Sequence, residues 1–209
     1  MATLSEKSRG SPRFVLIAAV LAGLLVLAAA TLLGVALRQT PPQGGGLLAS
    51  AIGGPFHLTD QNGNPFTDAD LKGKWHLVFF GYTHCPDTCP TTLNELSQAI
   101  AQLGDKQRRE VGVVFISVDP ERDTPAVLKS YLDSFDAPSV GLTGSADEVK
   151  QAAKDYRVYY AKHPLADGGY DMDHSALIYV MDPEGHFNSA LSLDSTADQM
   201  AAKLRKLVS

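Results

Sequence analysis

Residues 81–90 read Gly-Tyr-Thr-His-Cys-Pro-Asp-Thr-Cys-Pro, and they join an apolar run to a helical pattern. The run before them, 75–80, is almost continuously apolar, which is typical of a strand covered on both faces of a sheet. After them, apolar residues recur at steps of three and four from Leu93 to Leu103, which predicts a helix that ends at Gly104. The second cysteine of the stretch is therefore expected at the N-terminus of this helix.

The remaining pattern alternates strands and helices. A second buried strand is predicted at 111–118. Three further helices are predicted from helix-start signals at Thr124-Pro125, at Ser145 and at about Thr196. Two strands, 175–181 and 187–193, flank the turn sequence Asp-Pro-Glu-Gly and predict an antiparallel hairpin. A strand–helix–strand start with cysteines at the first helix, then a hairpin and a closing helix, predicts an α/β fold with a thioredoxin-like sheet flanked by helices.

An uncharged apolar stretch, 14–37, precedes the folded part of the chain. It exceeds the roughly 20 residues that a transmembrane helix needs, and basic residues cluster before it, so the N-terminus is expected to stay in the cytoplasm. A cleavable signal peptide is the alternative, although its apolar region is usually shorter. We therefore expect a cytoplasmic N-terminus (1–13), one transmembrane anchor (14–37), a linker (38–54) and an outward domain (55–209). This organisation fits a single-pass protein of a cell inner membrane with its domain in the periplasm.

The charge of the chain argues against one class of partner. The whole sequence has a net charge of -5, and residues 1–38 hold four basic and one acidic side chain, so the rest carries -8. An acidic domain of this kind is not expected to bind nucleic acid.

The spacing of the two cysteines, Cys85 and Cys89, favours a metal site without excluding redox chemistry. A disulfide between them would close a very small loop and would stabilise the fold little. Thiol–disulfide exchange enzymes use two intervening residues, whereas this pair has three. The N-terminus of a helix stabilises thiolates, which both bind metals and attack disulfides.

A third ligand is expected from the segment 170–174, because it immediately precedes the strand predicted at 175–181. In a thioredoxin-like sheet this position lies beside the cysteine pair, so His174 is the candidate. Two thiolates and one imidazole suit copper, but they also suit zinc, and the ligand types alone leave that choice open.

Three separated motifs resemble the SCO/SenC family of copper chaperones over about residues 55–205: 81–90, 118–125 (Val-Asp-Pro-Glu-Arg-Asp-Thr-Pro) and 173–175 (Asp-His-Ser). The resemblance implies that a copper ion, Cu(I) or Cu(II), is bound by Cys85, Cys89 and His174. It further implies a role in assembling the dinuclear copper centre of cytochrome c oxidase. The implied partners are the copper-bearing oxidase subunit, another copper chaperone as donor, and the membrane through the N-terminal helix.

The family resemblance leaves a second function open. The two cysteines would then cycle between dithiol and disulfide in a membrane-anchored thiol–disulfide oxidoreductase that reduces the cysteines of the oxidase copper site. Under the chaperone hypothesis no enzymatic turnover is needed.

Several neighbouring polar residues are assigned lesser roles. His84 is expected at the surface or around the ligands, and Asp119, Glu121 and Asp123 are expected at a strand end and a helix cap rather than on a hard cation. Asp173 is a candidate to orient His174 or a partner. Met172 is expected to pack rather than to bind metal. No metal is assigned to the other histidines, which are His57, His76, His163 (expected in a loop) and His186.

Overall fold

The computed structural model describes residues 21–24, 52–166, 168–175 and 177–208. The chain divides into two compact units, Met1–Gly45 and Gly46–Ser209. In the first unit, residues 21–24 are helical and exposed. The rest of the predicted anchor 14–37, and most of the predicted linker 38–54, lie outside the described residues. Within the ranges that are described, no helix is both long and apolar enough to cross a membrane.

The second unit contains both strands and helices. The strands are β1 (His57–Asp60), β2 (Pro65–Thr67), β3 (Trp75–Gly81), β4 (Val111–Ser117), β5 (Ser139–Thr143), β6 (Tyr160–Pro164), β7 (Tyr170–His174), β8 (Leu177–Met181) and β9 (Phe187–Ser192). The helices are α1 (Thr88–Ala101), α2 (Asp105–Arg109), α3 (Pro125–Leu132), α4 (Ala146–Asp155) and α5 (Ala197–Leu207), with a short 3-10 helix at Asp68–Leu71.

The main sheet has seven strands in the order β2-β1-β5-β4-β3-β8-β9. Strands β3 and β4, which were predicted to be covered on both faces, lie side by side in its interior and run parallel. Their register pairs Trp75 with Val111 and Gly81 with Ser117, so both strands end at the same edge of the sheet. This edge therefore receives the cysteine segment after β3 and the segment 118–124 after β4. The mixed α/β architecture is thioredoxin-like, as the sequence predicts.

Helix starts agree with the sequence signals. The side-chain oxygen of Thr124 accepts a hydrogen bond from the backbone of α3, and Ser145 and Thr196 each form a capping box with the third residue of the helix that follows. The predicted end of the first helix is wrong: α1 stops at Ala101, and Gly104 adopts the extended conformation that precedes α2. The short helix α2 was not predicted, because it buries no side chain and has no apolar periodicity.

Strands β6 and β7 form a separate two-stranded antiparallel sheet in which Tyr160 pairs with His174. The loop expected around His163 is therefore wrong, since His163 lies within β6. His174 is the last residue of β7, so the candidate ligand lies at a strand end. β6 ends in three polar or helix-breaking residues, Lys162 to Pro164, and β7 alternates apolar residues with aspartates over only five positions, so neither strand has the longer apolar pattern that would have indicated it.

Candidate metal centre

The cysteine segment is a tight connection between β3 and α1. The backbone N–H of Cys85 donates to the carbonyl oxygen of Tyr82 at 3.3 Å, which closes a turn, and α1 begins at Thr88. Cys85 therefore precedes the helix, half-buried, whereas Cys89 lies in its first turn and is 0% exposed. The backbone N–H of Cys89 points at the Cys85 sulfur, 3.4 Å away. Both cysteines are free thiols.

Gly81 makes room for the buried thiol. A Cβ atom at this position would lie 2.7 Å from the Cys89 sulfur and 2.8 Å from Cε2 of Phe115, closer than real Cβ contacts allow. The last residue of β3 must therefore lack a side chain for Cys89 to sit against the sheet. Sequence reasoning did not single out Gly81, although a glycine inside a strand pattern is a signal of close approach.

The imidazole of His174 faces the buried sulfur. Its Nε2 atom is 3.7 Å from the sulfur of Cys89, and its Nδ1 atom is 3.2 Å from the carbonyl oxygen of Ser175. Because a carbonyl oxygen only accepts, Nδ1 donates, and in the neutral ring the lone pair is left on Nε2. The rings of Phe79 and Tyr82 stand edge-on to the imidazole, with centroids 6.1 and 5.9 Å away. The ring is thus held in an orientation that suits a metal ligand.

The two thiols differ strongly in acidity. A hydrogen bond from the Cys89 thiol is the main cause that lowers the pKa of Cys85 to about 5. Burial opposes this shift, while the backbone amides of Cys89 and Asp87 and the imidazole of His174 add to it. The same thiol–thiolate contact, together with burial, raises the pKa of Cys89. Cys85 therefore forms a thiolate readily. Cys89 loses its proton only when a metal cation takes the place of the proton or when a base accepts it.

Cys85 and His174 border a common pocket of about 300 Å³. Its walls also include residues of the cysteine segment and of β7: Tyr82, Pro86, Asp87, Thr88, Asp171, Met172 and Asp173. In the described part of the chain, no group of three or more His, Cys, Asp or Glu side chains already stands close enough to hold a metal ion. The structure thus brings Cys89 and His174 into contact distance and leaves Cys85 at the edge of the same opening.

The distance between the Cys89 sulfur and Nε2 of His174 lies in the range expected for two donors to one ion. Metal–sulfur and metal–nitrogen bonds of about 2.3 and 2.0 Å place the donor atoms about 3.5 Å apart in tetrahedral and about 3.7 Å apart in trigonal coordination. The 3.7 Å between the Cys89 sulfur and Nε2 of His174 is compatible with either geometry, and it is also the distance of a hydrogen bond between the two atoms. Soft thiolates with an imidazole suit Cu(I) and zinc, so the donor set fits either ion.

The carboxylates after β4 have structural partners. Asp123, which is 0% exposed, accepts hydrogen bonds from the backbone N–H and the hydroxyl of Thr83 at 3.0 and 2.6 Å, and from the hydroxyl of Ser117 at 2.6 Å. Asp119 accepts from the guanidinium of Arg122 and, at 2.9 Å, from the hydroxyl of Tyr170. These contacts agree with the structural role expected for the segment, and Asp123 fastens it to the start of the cysteine segment.

Other candidate residues lie beside the site. The carboxylate of Asp173 is 2.7 Å from Nε2 of His163, so the expectation that it orients His174 is wrong. Met172 is 8% exposed and packs in the core, as expected. The side chain of His84 is 52% exposed, with Nδ1 3.1 Å from the hydroxyl of Thr83. His57, His76 and His186 lie on β1, on β3 and in the turn after β8, apart from the two sulfurs.

Comparisons with known proteins agree on one family. The family model described as SCO1/SenC matches residues 45–209. The yeast Saccharomyces cerevisiae "Protein SCO2, mitochondrial" is 44% identical over 160 residues, which cover 76% of this chain and 53% of that protein. The chain spans about half the length of the curated relatives that it matches first.

Two solved structures with copper bound are similar to this chain. Bradyrhizobium japonicum ScoI is 54% identical, with a TM-score of 0.69, over 75% of this chain and 99% of that one. Yeast Sco1 is 43% identical, with a TM-score of 0.69, over 75% of this chain and 87% of that one. Relatives with the same fold have therefore been solved with the metal that the donor set accommodates.

Proposed function

Because the chain belongs to the SCO1/SenC family, we propose that it is a copper metallochaperone that binds one copper ion through Cys85, Cys89 and His174. The ion is the cargo of the protein, and binding and release need no enzymatic turnover. The family membership supports copper over zinc, a choice that the ligand types leave open.

The contact between Cys89 and His174 carries this proposal. A strand of the main sheet, a helix start and a separate hairpin converge so that a sulfur and an imidazole nitrogen lie 3.7 Å apart. Cys85 is the third donor in the proposal, since it borders the same pocket and its lowered pKa, about 5, supplies a thiolate at neutral pH. Cys85 would turn its side chain inward as the ion enters.

The proposed recipient is the copper-bearing subunit of cytochrome c oxidase, whose dinuclear centre would be assembled with the delivered ion. A second copper chaperone is the proposed donor. We also propose that the segment 14–37 anchors the protein in the inner membrane and that the domain from residue 55 works in the periplasm. The acidic charge of that domain supports a basic docking face on its partner.

Replacement of one ligand tests the copper site. The full chain, purified in detergent under reducing conditions without air, is titrated with Cu(I) against a chromophoric chelator. We expect one copper per chain in the parent, and a dissociation constant raised about a hundredfold in His174→Ala because a direct ligand is lost. The matched control is His163→Ala, which removes an exposed histidine of the same hairpin and should retain the parent affinity. Equal affinities in His174→Ala and the parent would refute the proposed ligand set.

The redox function is the second candidate, and it is favoured by the different acidities of the two thiols. A thiolate at Cys85 beside a protonated Cys89 is the arrangement of an attacking and a resolving cysteine. Complementation of oxidase assembly in cells that lack the protein separates the two functions. With external copper abundant, a reductase needs both cysteines but tolerates His174→Ala, whereas a chaperone loses function with any of the three replacements.

A further inference from the structure

The hairpin that carries His174 depends on side-chain contacts for its position. Strands β6 and β7 pair only with each other among the residues that the structure describes, while the cysteines sit at the edge of the seven-stranded sheet. A two-stranded hairpin is marginally stable by itself. The distance between the imidazole and the sulfurs is therefore set by the short connection from β7 to β8, by the core packing of Met172, and by the side chains that join the hairpin to the cysteine segment.

Tyr82 contacts both ligand-bearing elements. It belongs to the cysteine segment, and its hydroxyl donates to Oδ1 of Asp171 on β7. Its ring stands edge-on to the imidazole of His174, at 86° and 5.9 Å between centroids. Tyr82 is 2% exposed, and both Tyr82 and Asp171 line the pocket that Cys85 and His174 border. Because Tyr82 lies three residues before Cys85 and Asp171 lies three before His174, their hydrogen bond joins the two segments next to the ligands.

We propose that the hydrogen bond from Tyr82 to Asp171 is a latch that fixes the hairpin, and with it His174, against the cysteine segment. While the bond is formed, Nε2 of His174 stays at the buried sulfur. When the bond breaks, the hairpin moves away and the imidazole leaves. Tyr82 and Asp171 are positioning residues, since they act through His174 and do not bind the ion. The latch deepens the proposed function and rests on it where copper release is concerned.

A second set of contacts holds the hairpin to a different element. Arg122 donates to the carbonyl oxygen of Tyr170 at 3.1 Å and stacks on the ring of Tyr170 at 3.8 Å. Arg122 belongs to the segment after β4, so these contacts fix the start of β7 relative to the sheet. The guanidinium of Arg122 also lies 5.8 Å from the centroid of the Tyr82 ring, so Arg122 makes a weaker, cation–π contact with the cysteine segment as well. A hydrogen bond to an ionised carboxylate is among the stronger kinds, which makes Tyr82 and Asp171 the dominant direct link between hairpin and cysteine segment.

Hydrogen exchange of the metal-free, reduced full chain tests the latch without copper. Tyr82→Phe removes only the hydroxyl and keeps the ring against His174. We expect the backbone amides of 170–174 to exchange about tenfold faster or more, with those of β3 and α1 unchanged, because one charge-assisted hydrogen bond is lost. Asp171→Asn retains an acceptor oxygen and should give a smaller increase. The control is Tyr159→Phe, which alters a tyrosine 66% exposed beside the hairpin and should change nothing.

Copper release gives the second readout. In a chelator competition, Tyr82→Phe should release Cu(I) about tenfold faster than the parent. The double variant Tyr82→Phe/Asp171→Ala should release Cu(I) little faster than Asp171→Ala alone.

Additive effects of the two substitutions on the release rate would overturn the latch, and so would hydrogen exchange of the hairpin equal to that of the parent. If Tyr82→Phe speeds hydrogen exchange evenly over β3, β4 and the hairpin and lowers the denaturation midpoint, then Tyr82 stabilises the whole fold. This result would also overturn the latch. If the parent chain binds no copper, the proposed function is refuted. The latch is then tested by the hydrogen-exchange result alone.

Discussion

Alkylation of Cys85 should show a pH profile shifted far below that of an ordinary thiol. With a pKa of about 5, Cys85 is about 99% thiolate at pH 7, whereas a thiol with an unshifted pKa near 9 is about 1% thiolate. The lower basicity makes each thiolate about 40 to 100 times less nucleophilic, because nucleophilicity falls with a Brønsted slope of about 0.4–0.5 over four pKa units. The two effects nearly cancel, so the rate at pH 7 should lie within about threefold of a model thiol. The informative quantity is therefore the shape of the profile.

The assay is iodoacetamide modification of the reduced, metal-free full chain between pH 4 and 9, with the modified cysteine located by mass spectrometry. The rate at Cys85 should level off by about pH 6, while Cys89, buried and with a raised pKa, should react far more slowly throughout. Cys89→Ala removes the main hydrogen bond that lowers the pKa of Cys85, so its plateau should move to higher pH. Cys89→Ser keeps a donor and should move it less. A parent rate that still rises tenfold per unit between pH 7 and 8 would refute this account of the site.

Two substitutions test the packing and the buried carboxylate that hold the cysteine segment. Gly81→Ala forces a Cβ to within 2.7 Å of the Cys89 sulfur. It should lower the free energy of unfolding, measured by denaturant titration, by about 1–3 kcal/mol. The control is Gly104→Ala, whose Cβ meets nothing closer than 3.8 Å and which should lower the free energy of unfolding far less. Equal losses would contradict the steric argument. Asp123→Ala leaves the donors of Thr83 and Ser117 without their buried acceptor, so it should lower the free energy of unfolding by about 3 kcal/mol or more. The control is Asp133→Ala, which removes an exposed carboxylate and should lower it by less than about 0.5 kcal/mol. A small loss for Asp123→Ala would mean that water or other groups replace the carboxylate.

The elements that bury apolar side chains could be predicted from the sequence. Strands β3 and β4 carry unbroken apolar runs, and the caps at Thr124, Ser145 and Thr196 mark the helix starts, because these patterns report local energetics directly. The β6–β7 hairpin could not be predicted. Tyr170 and Met172 give it an apolar face, which is too short to indicate a strand, and its position depends on side chains such as Tyr82 that are distant in sequence.

The cysteines and His174 could be proposed from motif spacing and chain order, but not the means by which they are held together. The need for glycine at position 81 arises only when the helix N-terminus folds back onto the end of β3. The partner of Asp173 depends on the register of β6 and β7, which places His163 within 2.7 Å. Both features are consequences of tertiary packing, which has no local sequence signal.

The candidate ligands are divided between elements of unequal rigidity. The sulfur of Cys89 is packed against Gly81 at the end of a central strand, and the buried carboxylate of Asp123 fastens the segment that leads to Cys85. His174 instead ends a hairpin that pairs with no other described strand and is attached through Tyr82, Arg122 and the core packing of Met172. Local opening requires the least free energy where few contacts are buried, so the imidazole should leave before the sulfurs move. A site that loses its nitrogen first would present an ion held by two thiolates to an incoming ligand. This order of release would suit a protein whose task is to transfer an ion, whereas a permanently bound metal would favour three equally rigid ligands.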